Sequence, residues 1–413
     1  MLLSSIPIPM DADLPGVLSG YKTVLVAYWP VLVTALLVSL CATPICRSIA
    51  LKRGIVDKPD DWLKPHGKPI PYLGGVAIFL GWVAGVLVAF FLFSAQDPAS
   101  VEAAKGPTLY VPLIVGIMIA GLAIMLLGLA DDLRVMSPTV KLAGNIAVAG
   151  LLLCFGLGDD IIVIATNRVG VSFESHETWL VLLYSIPITV FLIVGACNAT
   201  NLIDGLDGLC GGVLGIISLG FLILAIHLHA YRSWEPVDAA LVILAMAMLG
   251  ASLGFLPFNS NPAKIFMGDA GSMLLGLNSA MILLLFAEER RFRWMLASVV
   301  IFGLPVADMI LTLARRWRGQ RPLMKGDRSH FYDQLVDRGI GVRGVVWISY
   351  LLAGGFVVMG LLPMYMRMRH CVLVYAIAAA ALAYAVHRFK MVRVDPPAVD
   401  QSSEPPRGKE VSG

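Results

Sequence analysis

From Asn198 the chain reads Asn-Ala-Thr-Asn-Leu-Ile-Asp-Gly-Leu-Asp-Gly-Leu, placing two carboxamides and two carboxylates at the end of a strongly apolar segment. Ionisable groups at membrane depth are expensive, and where they occur they usually serve a function. Clustered carboxylates and amide oxygens suit a hard divalent cation such as Mg2+. A cation held there could bind a diphosphate. A spacing of three puts Asn198, Asn201 and Asp204 near one helical face, provided the helix runs that far. The competing reading is a capped, glycine-rich turn between two helices, but four polar groups exceed what capping requires.

Four other segments carry similar residue types. Asp131-Asp132 ends an apolar run and is followed by Leu-Arg-Val-Met-Ser-Pro. A helix C-terminus disfavours acidic groups, so the pair needs another reason, such as a metal or a proton-transfer step. Asn259-Ser-Asn-Pro-Ala-Lys264-Ile-Phe266-Met-Gly-Asp269-Ala-Gly-Ser272 offers a carboxylate at a helix start, an amide that could read a base and an aromatic that could stack on one. Its plainer reading is a loop with Asp269 as N-cap. Asp57-Lys-Pro-Asp-Asp-Trp-Leu-Lys-Pro-His66-Gly-Lys68-Pro-Ile-Pro-Tyr-Leu-Gly74-Gly75 sets basic residues before a helix start, which suits phosphate. Its plainer reading on composition is a positive-inside anchor with turn residues. Last come Asp308, roughly two turns inside an apolar helix, the basic run Arg315-Arg-Trp-Arg, and Gly326-Asp-Arg328-Ser-His330-Phe-Tyr332-Asp.

These motifs hang on a very apolar chain. Its 413 residues are 58% hydrophobic and 14% charged, against roughly 25% charged in soluble domains. The fold class is an all-α polytopic membrane protein. Apolar runs of about 20 residues suggest eleven transmembrane helices, near 23–45, 73–94, 110–130, 139–157, 178–200, 209–230, 238–257, 270–287, 294–314, 344–364 and 371–387. The spans at 209–230 and 270–287 are the weakest of these, because each begins in a glycine-rich polar motif. With the N-terminus outside and the C-terminus cytoplasmic, the inner loops collect 22 of the 31 Lys and Arg residues, as the positive-inside rule requires. Every carboxylate-bearing motif then lies on the cytoplasmic side. The chain divides into an extracytoplasmic segment 1–22, a multi-span unit 23–387 with cytoplasmic catalytic loops, and a disordered tail 388–413. Residues 158–177 suggest a small outer hairpin. The six cysteines lack metal-binding spacing and read as reduced core residues. No internal repeat is visible. A cation-coupled transporter, the alternative from a different class, would want such repeats and polar groups near mid-helix.

Taken together and in this order, the five blocks resemble the polyprenyl-phosphate N-acetylhexosamine-1-phosphate transferase family, glycosyltransferase family 4, over roughly residues 45–340. They are most similar to the branch that initiates O-antigen, enterobacterial common antigen or wall teichoic acid. The phospho-MurNAc-pentapeptide translocase branch is the runner-up. The resemblance implies an eleven-span fold in the bacterial cytoplasmic membrane. It also implies a Mg2+-dependent reaction, with Mn2+ as an alternative ion, in which N-acetylhexosamine 1-phosphate, expected to be GlcNAc 1-phosphate, moves from a UDP-sugar to undecaprenyl phosphate. The product initiates a lipid-linked cell-envelope glycan, and UMP leaves. No nucleic-acid partner is expected, and a homodimer is allowed. By the same resemblance Asp269 is the firmest metal ligand, with Asn201 and Asp204 beside the metal or diphosphate. Asp131, Asp132 and Asp204 are the catalytic candidates, and one of the adjacent pair deprotonates or positions the lipid phosphate. Asp207, Asn259 and Phe266 match uridine positions, and Lys68, Asn198, Arg328 and His330 match phosphate or sugar positions. Direct attack and a covalent aspartyl-phosphate both remain open. The family's last loop commonly carries a His-x-His-His cluster; here a single histidine, His330, stands two residues before Tyr332. That departure argues against the translocase branch.

Overall fold

A computed structural model of the protein describes residues 14–57, 69–94, 111–158, 161, 178–231, 236–288, 292–320 and 330–392. The chain forms α1 (Leu14–Arg53), β1 (Val56–Asp57), β2 (Ile70–Pro71), α2 (Gly74–Ser94), α3 (Val111–Leu133), α4 (Pro138–Cys154) and α5 (Thr178–Leu202). There follow α6 (Leu209–Tyr231), α7 (Pro236–Asn259), α8 (Gly268–Glu288), α9 (Phe292–Ile301) and α10 (Gly303–Arg318). The last helices are α11 (Phe331–Asp337), α12 (Val342–Leu361) and α13 (Met368–Arg388). The only departure from an all-α architecture among the described residues is a two-residue antiparallel pair, with Val56 opposite Pro71 and Asp57 opposite Ile70.

All eleven apolar runs are helical. Among the described residues nine helices are long and apolar enough to cross a membrane, so the protein is a polytopic membrane protein. Of the other two runs, the one at 294–314 is broken, with α9 and α10 meeting at 69°. The one at 139–157, α4, has 17 residues and falls short of the spanning length. Apart from Gly158 and Ile161, the expected outer hairpin lies outside the described residues, as do 1–13 and 393–413. All six cysteines are free thiols.

The two spans that looked weakest from sequence, now α6 and α8, lie at the centre with α7. These three are 83%, 100% and 89% buried over their apolar windows, against 6% for α13. A helix that is apolar on every face is stable only when surrounded by other helices or lipid. The outer helices turn large apolar side chains such as Phe91, Phe191, Trp347 and Leu351 outward, as a hydrocarbon solvent permits. A buried polar link joins the layers: Trp82 Nε1 donates to Asn278 Oδ1 at 2.8 Å.

Small residues set how closely these helices approach. Gly250 and Gly254 of α7 lie against the α1 backbone, where a Cβ would strike the Leu32 and Leu36 carbonyls. Gly254→Val is expected to destabilise the protein by about 2 kcal/mol, the range for overpacking a close contact. Its apparent unfolding temperature in detergent checks this, and an unchanged temperature would count against the close approach.

Candidate active site

The C-terminal ends of α3, α5 and α7 meet the N-terminal ends of α2, α4, α8 and α12 at one end of the bundle. Between them lies a cavity of about 460 Å³, lined in part by Asp132, Asp204, Asp207, Phe266 and Asp269. Its wall also includes Asp57 and Tyr72, which the sequence motifs did not single out.

Asp132 organises the site through the backbone. Its Oδ1 accepts from Asp269 N at 2.8 Å and its Oδ2 from Ala270 N at 3.1 Å. The carboxylate at the end of α3 thus caps the start of α8, where free N–H groups and the helix dipole favour an anion. This accounts for an acidic residue at a helix C-terminus: it serves the N-terminus of another helix. Gly268 makes the geometry accessible, with φ +65° and no Cβ to collide with the Asp132 carboxylate.

Asp131 points elsewhere. Its Oδ1 accepts from Met136 N at 2.6 Å, and its Oδ2 lies 3.1 Å from Lys141 Nζ. Ser137 caps α4 with Pro138 in the first turn, so Lys141 enters one turn into that helix. The Lys141 ammonium donates to Asp269 Oδ2 and lies 3.4 Å from Asn201 Oδ1. Asn201 Nδ2 in turn donates to Asp269 Oδ1 at 2.7 Å and to Ser272 Oγ at 3.0 Å. Four helices thus bring two carboxylates and an amide oxygen onto a single cationic nitrogen.

Lys141 was missed in the reading of motifs. Its signal was a lysine inside an expected span, ten residues after Asp131, where a charge is costly. Asp57 lay within a quoted motif and Tyr72 just before its Gly-Gly, but only the β1–β2 pairing brings them to the cavity. The Tyr72 hydroxyl bonds the Asp57 carboxylate; burial first, then that neighbour, pushes the phenol above its ordinary range. The Tyr72 and Phe266 rings lie 6.2 Å apart, tilted by 53°.

The turn at 203–208 completes the cavity. α5 ends at Leu202, so Asp204 leaves the helical face it was expected to share with Asn198 and Asn201. Burial, then the carboxylates of Asp269, Asp132 and Asp207, push Asp204 well above the ordinary carboxylate range. A bound cation would reverse that, because an opposite charge favours the ionised form. Asp207 Oδ2 accepts from Asn261 Nδ2 at 3.0 Å and from Ala263 N at 2.9 Å, holding the 259–267 loop against the turn. Asn259 is buried and committed internally: Oδ1 accepts from Gly208 N and Nδ2 donates to Ile265 O, both at 3.1 Å. Phe266 N donates to Pro71 O at 2.9 Å, and Gly74 N to Phe266 O at 3.0 Å, which fixes the ring at the cavity. Asn198 is not among the lining residues; its Nδ2 turns back to Val194 O at 2.7 Å. His330 lies behind the 203–208 turn rather than in the cavity wall. Lys68 and Arg328 fall outside the described residues.

A family model described as glycosyl transferase family 4 matches residues 114–287. A probable undecaprenyl-phosphate N-acetylglucosaminyl 1-phosphate transferase of Bacillus subtilis (strain 168) is 32% identical over 329 residues, 79% of this chain and 81% of the relative. The chain belongs to glycosyl transferase family 4. A decaprenyl-phosphate N-acetylglucosaminephosphotransferase of Mycobacterium tuberculosis (strain CDC 1551 / Oshkosh) is 32% identical, covering 78% of each chain. A phospho-N-acetylmuramoyl-pentapeptide-transferase of Chlorobaculum parvum is 29% identical over 62% of this chain and 70% of its own. The matched span begins in α3 and ends in α8, so it contains Asp131, Asp132, Lys141, Asn201, Asp204 and Asp269. The glycosyl transferase family 4 resemblance drawn from the motifs therefore holds, and the branch favoured there supplies the more similar relatives.

Proposed function

We propose that this chain transfers N-acetylglucosamine 1-phosphate from UDP-GlcNAc to undecaprenyl phosphate at the cytoplasmic face of the bacterial inner membrane. A lipid-phosphate oxygen forms the new bond to the sugar-bearing phosphorus, the bond to UMP breaks, and a lipid-linked diphosphate sugar results. The observation that carries this reading is the convergence of Asp131, Asp269 and Asn201 on one cation beside a nucleotide-sized cavity with an aromatic wall. The names of the more similar relatives support the sugar and the class of acceptor.

The donor set is all oxygen, as Mg2+ requires, with Mn2+ also compatible. Among the described residues no three His, Cys, Asp or Glu groups gather at metal-binding distance. Mg2+ commonly binds through one or two carboxylates and completes its shell with water and substrate phosphates. Asp131, Asp269 and Asn201 would hold it, with Asp204 adjoining. When bound, it would supply charge neutralisation for two approaching phosphates. Asp132, with both oxygens on backbone N–H groups, positions α8. Proton transfer from the lipid phosphate falls to Asp131, and Lys141 offsets phosphate charge. Phe266 and Tyr72 receive the base, while Asp207 and Asn259 shape the loop that carries Phe266. We further infer that α4 and the bent α9–α10 pair both cross the bilayer. That gives eleven spans with the N-terminus outside, as the loop charges favour.

The test is transfer of label to undecaprenyl phosphate by the purified protein, with UDP-GlcNAc and UDP-MurNAc-pentapeptide as separate donors and with or without Mg2+. Mg2+-dependent product from UDP-GlcNAc alone supports the reading. Product from the pentapeptide donor alone would move the chain to the other branch. No product from either, with folded protein, would overturn it.

A further inference from the structure

Asp308 has no part in the contacts above. It is a charged group inside α10, and its side chain is 0% exposed. Both oxygens are engaged: Oδ1 accepts from Phe331 N at 3.0 Å, and Oδ2 lies 2.8 Å from His330 Nδ1. Thr312 Oγ1, one turn along α10, is 3.2 Å from the same nitrogen. The imidazole lies flat on the Tyr332 ring, with centroids 5.2 Å apart and planes 7° apart. The Tyr332 hydroxyl donates to Leu202 O at 2.8 Å, and a Cβ on Gly205 would collide with it. Burial, then Asp333, Asp308 and Asp204, raise the phenol well above its ordinary range, so it remains a donor. His330 is therefore one ring away from the turn that carries Asp204.

The hydrogen bonds determine where the imidazole proton sits. A backbone N–H can only donate, so Phe331 claims Oδ1 in every protonation state. One proton must lie between Oδ2 and Nδ1 at 2.8 Å, and a carboxylate only accepts, so Nδ1 donates it. The Asp333 N–H also reaches toward the His330 side chain in a capping box. The charge-assisted carboxylate contact is the stronger of the two and keeps the proton on Nδ1. We propose that Asp308 is a positioning residue for the transfer reaction. It holds His330 as the Nδ1–H form, flat against Tyr332, and through that ring it fixes the 203–208 turn that carries Asp204. This rests on the transferase reading above. It also gives the buried carboxylate of α10 a purpose other than ion transport.

Asp308→Asn tests it with little change of shape. The amide oxygen must face Phe331 N–H, which turns the NH2 group toward Nδ1 and drives the ring proton to Nε2. The expected result is a fall in kcat of ~10²-fold, the range seen when a group that orients a reacting residue is lost, with a much smaller change in KM. In a His330→Gln background the same substitution should cost nothing further, since a residue acting only through another is silent once that other is gone. Nitrogen-15 spectra of histidine-labelled protein, with His330 identified by its loss in His330→Gln, should move from the Nδ1–H to the Nε2–H signature. Losses that multiply in the double variant, or an unchanged tautomer, would overturn the proposal. If Asp308→Asn does not fold, Thr312→Val takes its place. It should lower kcat by a few-fold, again with no effect once His330 is glutamine, and multiplying losses would again overturn the proposal. Wild-type protein that transfers no label would remove the transferase reading, and with it any role for the pair in transfer, while the spectra still report the tautomer.

Discussion

Asp269→Asn is expected to lower kcat for sugar-phosphate transfer by ~10³-fold or more, at the upper end of what one preorganised electrostatic group supplies. Asp269 ties three of the converging helices to α8. Its backbone N–H meets Asp132 of α3, Oδ1 meets Asn201 of α5, and Oδ2 pairs with Lys141 of α4. Asparagine keeps the backbone link to Asp132. It removes the charge that Lys141, or a divalent ion in its place, is positioned to meet. It can also set its own NH2 against the Asn201 amide. Initial rates of labelled-lipid formation across a Mg2+ titration check this. The variant should stay inactive at saturating Mg2+ while its unfolding temperature stays within a few degrees of wild type. Retention of a tenth of the wild-type rate would remove Asp269 from the reaction centre.

Lys141→Met should produce the second-largest effect and separate two roles of one side chain. The ammonium sits among Asp131, Asp269 and Asn201, where the oxygen set would hold a metal. Without it, two carboxylates that share one ammonium lose the cation that favours their ionised forms. These side chains are between 14% and 27% exposed, so solvent softens the loss below the roughly 3–5 kcal/mol of a fully buried broken pair. Transfer should fall by ~10²-fold, the loss of one charge-stabilising group aimed at the phosphates. The distinguishing readout needs no substrate. Added Mg2+ should raise the unfolding temperature of Lys141→Met more than that of wild type, because a ligand stabilises according to its affinity for the folded site and the variant has no tethered competitor. Equal shifts would place the metal away from the lysine.

The smaller expected effects have different sources. Gly254→Val acts through helix approach at the far side of α7 and should leave the chemistry intact in whatever fraction folds. Asp308→Asn acts on one proton and should leave stability nearly intact. Comparing the four variants separates stability, charge and proton placement, and each has a readout the others do not move.

The sequence by itself determined the solvent, the helical runs and the family. Long apolar runs admit only helices when the surroundings cannot bond the backbone, so all eleven runs are helical. The order of the oxygen-bearing motifs along the chain placed it in the right family. The tertiary structure decided which neighbour each motif residue serves. Asp131 and Asp132 are adjacent and alike in sequence, yet one faces Lys141 and the other caps α8, because successive helical residues point about 100° apart. Asn259 carried the look of a base reader; it lines the cavity, and its amide is bonded to Gly208 and Ile265. Lys141 passed as one more basic residue at a helix start until four helices converged on it. α6 and α8 looked the least secure of the spans and are central, because polar motifs at their ends lower the apolar signal without changing what surrounds the middle. Periodicity and composition report a residue's own environment along the chain. Pairing across α3, α4, α5 and α8 depends on side-chain directions and close helix packing, which no single segment contains.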